Sequence, residues 1–335
     1  MGSGTLKYPA LAPGVTAATN SQHSSPERQP PRTPTSRHRA APTASALQRR
    51  RTMDRFHDRQ HVWLRSRVHG TYLKANSDRK TVSLRGRRAS LKAAWTVHIY
   101  QGEGDAVYLL LHSAAYGRYL AATARRAPLG LGHNGFRAEQ RNYDEPDVQA
   151  IMWEAVGAGS GDDVMLRNVG GCYLRANGRY LRWSTGVSVE DMDRVSTMAH
   201  WIVEPIPARE AGMPDLPGPP NRVLYMVLGQ AWRTIVFVRA NAEGFYDEDN
   251  WHIFPFRGRS VNHLRNELAD RIAFIDGQYP DGIAMCVRAG LYGRPTPLVV
   301  DLPRYSGHAE AHQIVVMMSG TPAYDDLRYP DVDAV

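Results

Sequence analysis

Gly70-Thr71-Tyr72-Leu73, Gly117-Arg118-Tyr119-Leu120 and Gly171-Cys172-Tyr173-Leu174 share one signature, and Gly178-Arg179-Tyr180-Leu181 repeats the last copy almost at once. The last two copies lie so close together that they count as one unit, which leaves three. Each unit is followed by a tryptophan that opens a short apolar run: Trp95-Thr96-Val97, Trp153-Glu154-Ala155-Val156 and Trp201-Ile202-Val203. A repeat at near-regular spacing constrains architecture before any single residue is interpreted.

The elements around each copy are short strands. Val62-Trp63-Leu64-Arg65-Ser66 alternates loosely between apolar and polar residues, as a half-buried strand does. Leu111-His112-Ser113 and Leu166-Arg167-Asn168 stand at the equivalent positions of the other two units. The glycine permits a tight turn, and Tyr-Leu starts the return strand. The largest insertion lies around Asn134 to Gln149, where charged and turn residues dominate. Three units of about fifty residues, each holding roughly four strands, close naturally into a β-trefoil, and closure removes exposed sheet edges. A four-bladed propeller is the rival, but only three full units are visible.

The rest of the chain divides by composition. Residues 1–52 are rich in Pro, Ser, Thr, Ala and Arg, with eight bases against the single acid Glu27. Such a stretch cannot bury enough surface to offset its ordering entropy, so it reads as a disordered basic tail. A transit peptide and an extension upstream of a native start at Met53 are the other readings. The trefoil is expected over 53–207, followed by a Pro/Gly-rich linker over 208–221. From 222 to 320 the pattern changes. Thr234–Val238 and Trp251–Phe256 read as strands. Ser260 caps a helix carrying Val261, Leu264, Leu268 and Ile272 at helical spacing. Ile283–Val287, Pro297–Val300 and Gln313–Met318 read as three more strands. The order ββαβββ is that of an α+β ubiquitin-like (β-grasp) domain. Residues 321–335 read as a flexible, acidic tail.

Bulk properties narrow the function classes. The chain has 335 residues, 42% hydrophobic and 22% charged, near globular averages. No window has the run of about 18–20 apolar residues that a membrane helix needs. Cys172 and Cys286 form no CxxC pair and no disulfide framework, which fits a reducing compartment. The net charge of +8 comes from the tail and the trefoil region, where 53–207 holds 21 bases against 16 acids; residues 208–335 hold 12 against 16. Nucleic acid is therefore disfavoured as a partner.

Met53-Asp54-Arg55-Phe56 leads into Val62–Ser66, then Gly70–Leu73 and Ala94-Trp95-Thr96-Val97. This set resembles a plant family whose domain of unknown function is a β-trefoil of the fascin-like, actin-cross-linking superfamily. Phe256-Arg257-Gly258-Arg259-Ser260-Val261, running into Leu264–Ala269, resembles that family's ubiquitin-like C-terminal domain. The resemblance implies the two-domain fold and names actin as a candidate partner. It implies no settled activity, because fold alone does not give function.

The strongest charge feature is Arg79-Lys80-Thr81-Val82-Ser83-Leu84-Arg85-Gly86-Arg87-Arg88-Ala89-Ser90-Leu91-Lys92, with six bases and no acid. Arg79, Lys80, Arg85, Arg87, Arg88 and Lys92 are the candidate binding patch for an acidic filament surface, lipid headgroups or phosphates. A plain solvated loop is the competing reading. Arg87-Arg88-Ala89-Ser90 also has the form of a basophilic kinase site. Lectin trefoils place glutamine two residues before the repeat tryptophan, whereas Ala93, Ile151 and Ala199 stand there, so carbohydrate binding is the weaker expectation and core packing the stronger. His57, His61 and His69 cluster without a third metal ligand in a defined place. No nucleophile elbow, HExxH, P-loop or dinucleotide fingerprint occurs in a supporting context.

The expectation is a non-enzymatic binding or scaffold protein in the cytoplasm, associated with the cytoskeleton, with no cofactor and no metal. Actin or another protein is its expected partner. One trefoil offers one filament-binding face, so cross-linking would need a dimer or a second site on the C-terminal domain. The alternative is a regulatory module acting through the ubiquitin-like domain, with the acidic turn Asp247-Glu248-Asp249 as contact.

Overall fold

The Gly-x-Tyr-Leu signature sits at the same structural point in each unit. In the computed structural model, the described residues are 52–102, 106–127, 135–145, 147–159, 162–177, 179–180, 183–184, 186–191, 196–218, 232–303 and 311–334. All of the N-terminal stretch except Thr52 falls outside them.

The first unit comprises β1 (His61–Ser66), β2 (Tyr72–Ala75), β3 (Val82–Arg85) and β4 (Ala94–Gln101). The second comprises β5 (Val107–Ser113), β6 (Tyr119–Arg126), β7 (Phe136–Arg141) and β8 (Trp153–Gly157). The third comprises β9 (Val164–Asn168), β10 (Tyr173–Ala176), β13 (Val187–Glu190) and β14 (Trp201–Ile206). Its extra hairpin, β11 (Arg179–Tyr180) with β12 (Trp183–Ser184), includes Arg179 and Tyr180 of the fourth signature copy, whose Gly178 and Leu181 lie outside the described residues. The first and last strands of each unit close a six-stranded barrel through the antiparallel pairs β1–β4, β4–β5, β5–β8, β8–β9, β9–β14 and β14–β1. The hairpins β2–β3, β6–β7 and β10–β13 cap it. This is a β-trefoil.

The signature works as a packing code. Gly70, Gly117 and Gly171 have φ of 61°, 69° and 91°, the left-handed region that a side chain disfavours. The turn closes through Gly70 N–H to the Ser66 carbonyl, Gly117 to Ser113 and Gly171 to Asn168, at 2.9, 2.8 and 2.8 Å. The three tryptophans are fully buried. Each indole Nε1 donates to the carbonyl of its own unit's signature leucine: Trp95 to Leu73, Trp153 to Leu120 and Trp201 to Leu174, at 3.1, 2.8 and 3.0 Å. A buried indole N–H needs such a partner, and here the repeat supplies it.

The stretch around Asn134 to Gln149, read above as an insertion, instead contributes β7. Ala138 faces the core, and the neighbouring Glu139 and Gln140 are buried although polar. Glu139 meets Arg141 at 2.7 Å, and Gln140 Nε2 donates to the Asn76 and Thr81 carbonyls at 3.1 and 2.7 Å. The partners of Gln140 lie in the β2–β3 turn of the first unit, which no local hydropathy pattern reports.

The second domain has strand order β16-β15-β19-β17-β18, from β15 (Trp232–Arg239), β16 (His252–Arg257), β17 (Ile283–Val287), β18 (Thr296–Pro297) and β19 (His312–Met318). β15 and β19 pair in parallel; the other pairs are antiparallel. Helix α1 (Val261–Asp276) packs on one face through Val261, Leu264, Leu268, Ala269 and Ile272. Ser260 Oγ accepts from His263 N–H at 3.2 Å, and Gly277 ends the helix at φ 72°. This is the ubiquitin-like arrangement. The strand expected over Pro297–Val300 is shorter: beyond Pro297 only the Leu298 N–H still reaches the Met285 carbonyl, at 2.7 Å.

The segment read as a flexible tail is ordered through Ala334. Helix α2 (Pro322–Asp325) is capped by Thr321. Tyr329 is buried, Pro330 bridges to Ala208, and the Arg209 N–H reaches the Tyr329 carbonyl at 2.8 Å. Val332 packs against the trefoil cluster that includes Trp63 and Tyr72. The acidic composition hid one buried tyrosine and a return to the first domain.

The two domains share a seam. Thr296 Oγ1 lies 3.0 Å from His112 Nδ1, and the Arg294 N–H donates to the Tyr119 hydroxyl at 3.0 Å. Arg294 pairs with Asp58 at 2.8 Å, and the Tyr143 N–H reaches the Ala289 carbonyl at 2.9 Å. Gly290, at φ 87°, lies so close that a Cβ there would come within 2.0 Å of Asp144 Oδ1.

Candidate functional site

The basic block folds as the β2–β3 hairpin and the loop after it. Asp78 builds the turn: its Oδ1 accepts from the Lys80 and Thr81 N–H groups, both at 2.9 Å. Arg79 adopts a left-handed φ of 57° within it. β7 braces the turn from the next unit, with the Gln140 N–H donating to the Lys80 carbonyl at 2.7 Å.

The structure divides the six candidate bases into two sets. Arg79, Arg88 and Lys92 are half-buried and engaged within the chain. Arg79 Nη1 lies 3.0 Å from His312 Nδ1, across the seam. The Arg88 guanidinium stacks 4.9 Å from the Trp63 ring centroid and donates to the Ala334 carbonyl at 3.3 Å. Lys92 Nζ donates to Ser77 Oγ at 2.7 Å and lies 5.8 Å from the Tyr116 ring. Lys80, Arg85 and Arg87 are exposed. Lys74 was missed from the sequence because it stands alone in β2. Burial, together with Lys92 and Arg85, holds its ammonium below the ordinary value. A lysine at an alternate strand position beside this block was the signal that could have found it. Ser90 is half-buried, and its Oγ accepts from the Lys92 N–H at 3.3 Å.

The other candidate residues fall elsewhere. The three signature tryptophans offer no open face for stacking a sugar. His61 is buried, and His69 Nε2 lies 3.2 Å from the Ala176 carbonyl. Among the described residues no three His, Cys, Asp or Glu side chains converge as metal ligands. No helix among them is long and apolar enough to cross a membrane. Glu248, at the centre of the acidic turn, grips Arg288 through both carboxylate oxygens at 2.5 and 3.0 Å, and that guanidinium stacks near Tyr246 and Trp251. Asp247 and Asp249 remain exposed.

Four of the described histidines are buried, and two of them, His112 and His312, make contacts across the seam. Burial pushes His61 down to about 4. Burial, with Arg294 adding and Asp58 opposing, pushes His98 down to about 3. His112 and His312 are lowered well below the usual imidazole range, first by burial. His112 then feels His98, His61 and Arg294; His312 feels Arg79, Arg233 and Arg118. His312 has a guanidinium at each ring nitrogen, Arg79 at 3.0 Å and Arg233 at 3.4 Å. A protonated ring accepts at neither nitrogen, so both contacts oppose its charge.

Two family models match the chain. The "Beta-trefoil domain of unknown function (DUF569)" matches residues 53–206, and the "DUF569 associated ubiquitin-like domain" matches residues 231–317. Solved structures that align include the designed threefold-symmetric protein ThreeFoil, 16% identical, over 43% of this chain and 97% of its own, with a TM-score of 0.34. The SDF2-like protein from Arabidopsis thaliana is 13% identical over 44% of this chain and 93% of its own, with a TM-score of 0.37. The Macrolepiota procera ricin B-like lectin in complex with lactose is 15% identical over 44% and 96%, with a TM-score of 0.34. No curated protein matches the chain.

Proposed function

The chain belongs to the DUF569 family of β-trefoils joined to an associated ubiquitin-like domain, and from that premise we propose that it is a non-enzymatic binding protein of the cytoplasm. Its β2–β3 hairpin contacts an anionic polymer surface, with the actin filament as first candidate. The observation that carries this reading is the hairpin itself. A turn braced by Asp78 and Gln140 presents Lys80, Arg85 and Arg87 to solvent. Bases on a rigid mount lose little entropy on contact, and complementary charge raises the association rate.

Co-sedimentation of the full chain with actin filaments at low and moderate salt tests the proposal. Wild type is expected to pellet, less so as salt rises. The triple change Lys80→Glu, Arg85→Glu, Arg87→Glu is expected to weaken binding by about tenfold or more. Its thermal midpoint should stay near wild type, because exposed substitutions shift stability by only about 0.5 kcal/mol. A wild type that never pellets ends the actin reading, and a triple variant that pellets like wild type ends the role of the hairpin.

A further inference from the structure

The outer face of the ubiquitin-like sheet, opposite α1, is only half covered. Val238, Cys286, Val315 and Met317 lie beneath Tyr246, Trp251, Tyr324 and Leu327. The other half is a strip on β15 and the terminal strand β16, where Trp232 faces Arg257, Thr234 faces Pro255 and Val236 faces Ile253. Trp232 is 62% exposed and Ile253 70%. The Arg257 guanidinium lies 5.8 Å from the Trp232 ring. Exposed large apolar side chains on one sheet face mark a contact surface, and tryptophan and arginine are the residues that most often dominate one.

The ends of the strip carry opposite charge. Arg257 stands at one end. At the other is the turn with exposed Asp247 and Asp249, which folds onto this same face through the Glu248 grip on Arg288. A strip that is basic at one end, apolar in the middle and acidic at the other complements itself when reversed. A twofold axis through Ile253 sets that side chain against its own copy and brings each Arg257 against Asp249 of the second copy. We propose that this strip is the interface of a symmetric dimer of the chain. A twofold interface requires this kind of self-complementarity. Pro255 on the terminal strand disfavours continuation of the sheet edge to edge, so the copies meet through side chains. The strip is two strands wide and six residues long, roughly 10 by 20 Å. That is about a quarter of the usual interface of about 800 Å² per partner, so the dimer is weak and reversible. Such a dimer carries two basic hairpins and could bridge two filaments. That consequence rests on the proposed function; the dimer does not.

Sedimentation velocity on the full chain, from low to high micromolar, reads the oligomeric state with no filament present. Wild type is expected to dimerise as concentration rises. Ile253→Asp should weaken the dimer about tenfold or more, whereas Phe274→Asp, at a side chain 91% exposed elsewhere on the domain, should leave it intact. Arg257→Asp and Asp249→Arg should each weaken it, and the double exchange should recover affinity because the pair is restored across the axis. A wild type that stays monomeric at high micromolar overturns the proposal, whatever else covers the strip. So does a dimer indifferent to Ile253→Asp.

Discussion

Lowering the pH from about 7 to about 5 is expected to remove on the order of 4 kcal/mol of folding stability through His61 and His98, a large share of what a typical domain possesses. His61, His98, His112 and His312 are buried, and each is held well below its ordinary value. The unfolded chain binds a proton at each near pH 6.5, while the folded chain does not. The stability is therefore complete above about 6.5 and is lost as the pH falls toward the native values. At pH 5 His61 and His98 each cost about 2 kcal/mol, and His112 and His312 act in the same direction. Asp58 begins to contribute only in more acid solution. Burial pushes its carboxyl up, but the Ile99 N–H and Arg294 together hold it below the usual value. His112 and His312 touch Thr296 and Arg79 across the seam, so acid should disrupt the domain contact along with the core. Urea unfolding at pH 7, 6 and 5 measures the slope. His98→Gln should lose about one proton from it. Equal stability at pH 7 and 5 would show that the buried imidazoles titrate normally.

How much of this was legible in the sequence follows from where each interaction is made. The trefoil was readable because its code is local and repeated: glycine turns, and tryptophan returns its indole to a leucine of the same unit. The α1 helix was readable because Ser260 and its apolar spacing lie within one segment. β7 was missed because its Glu139 and Gln140 are polar yet buried, Glu139 paired with Arg141 of the same strand and Gln140 with the β2–β3 turn of the first unit. The basic block showed six equal charges in the sequence, yet Arg79 and Arg88 are held by His312 and Ala334, more than two hundred residues away. No local pattern reports that distance. His112 and His312 are silent for the same reason, since their partners Thr296 and Arg79 lie in the other domain.

Trp153→Ala is expected to cost about 3–5 kcal/mol, the range for a large aromatic removed from a packed core. The indole is fully buried, so its loss leaves a cavity that the barrel cannot close without moving Leu109 and Leu166. It also leaves the Leu120 carbonyl without its donor at 2.8 Å, an added cost of about 1–3 kcal/mol. Trp153→Phe keeps much of the volume and removes only the N–H, so it should fold and cost distinctly less even if the alanine variant does not fold. The same pair of changes at Trp95 and Trp201 should give similar losses, because both residues are fully buried and make the same hydrogen bond. Denaturant midpoints compare all six variants. Losses near zero at any of the three sites would mean that its tryptophan is not core, and a sugar-stacking face would then have to be reconsidered there. If the three sites behave alike, the threefold repeat accounts for stability alone. Binding must then reside where the units differ, and in the first unit that difference is the hairpin bearing Lys80, Arg85 and Arg87.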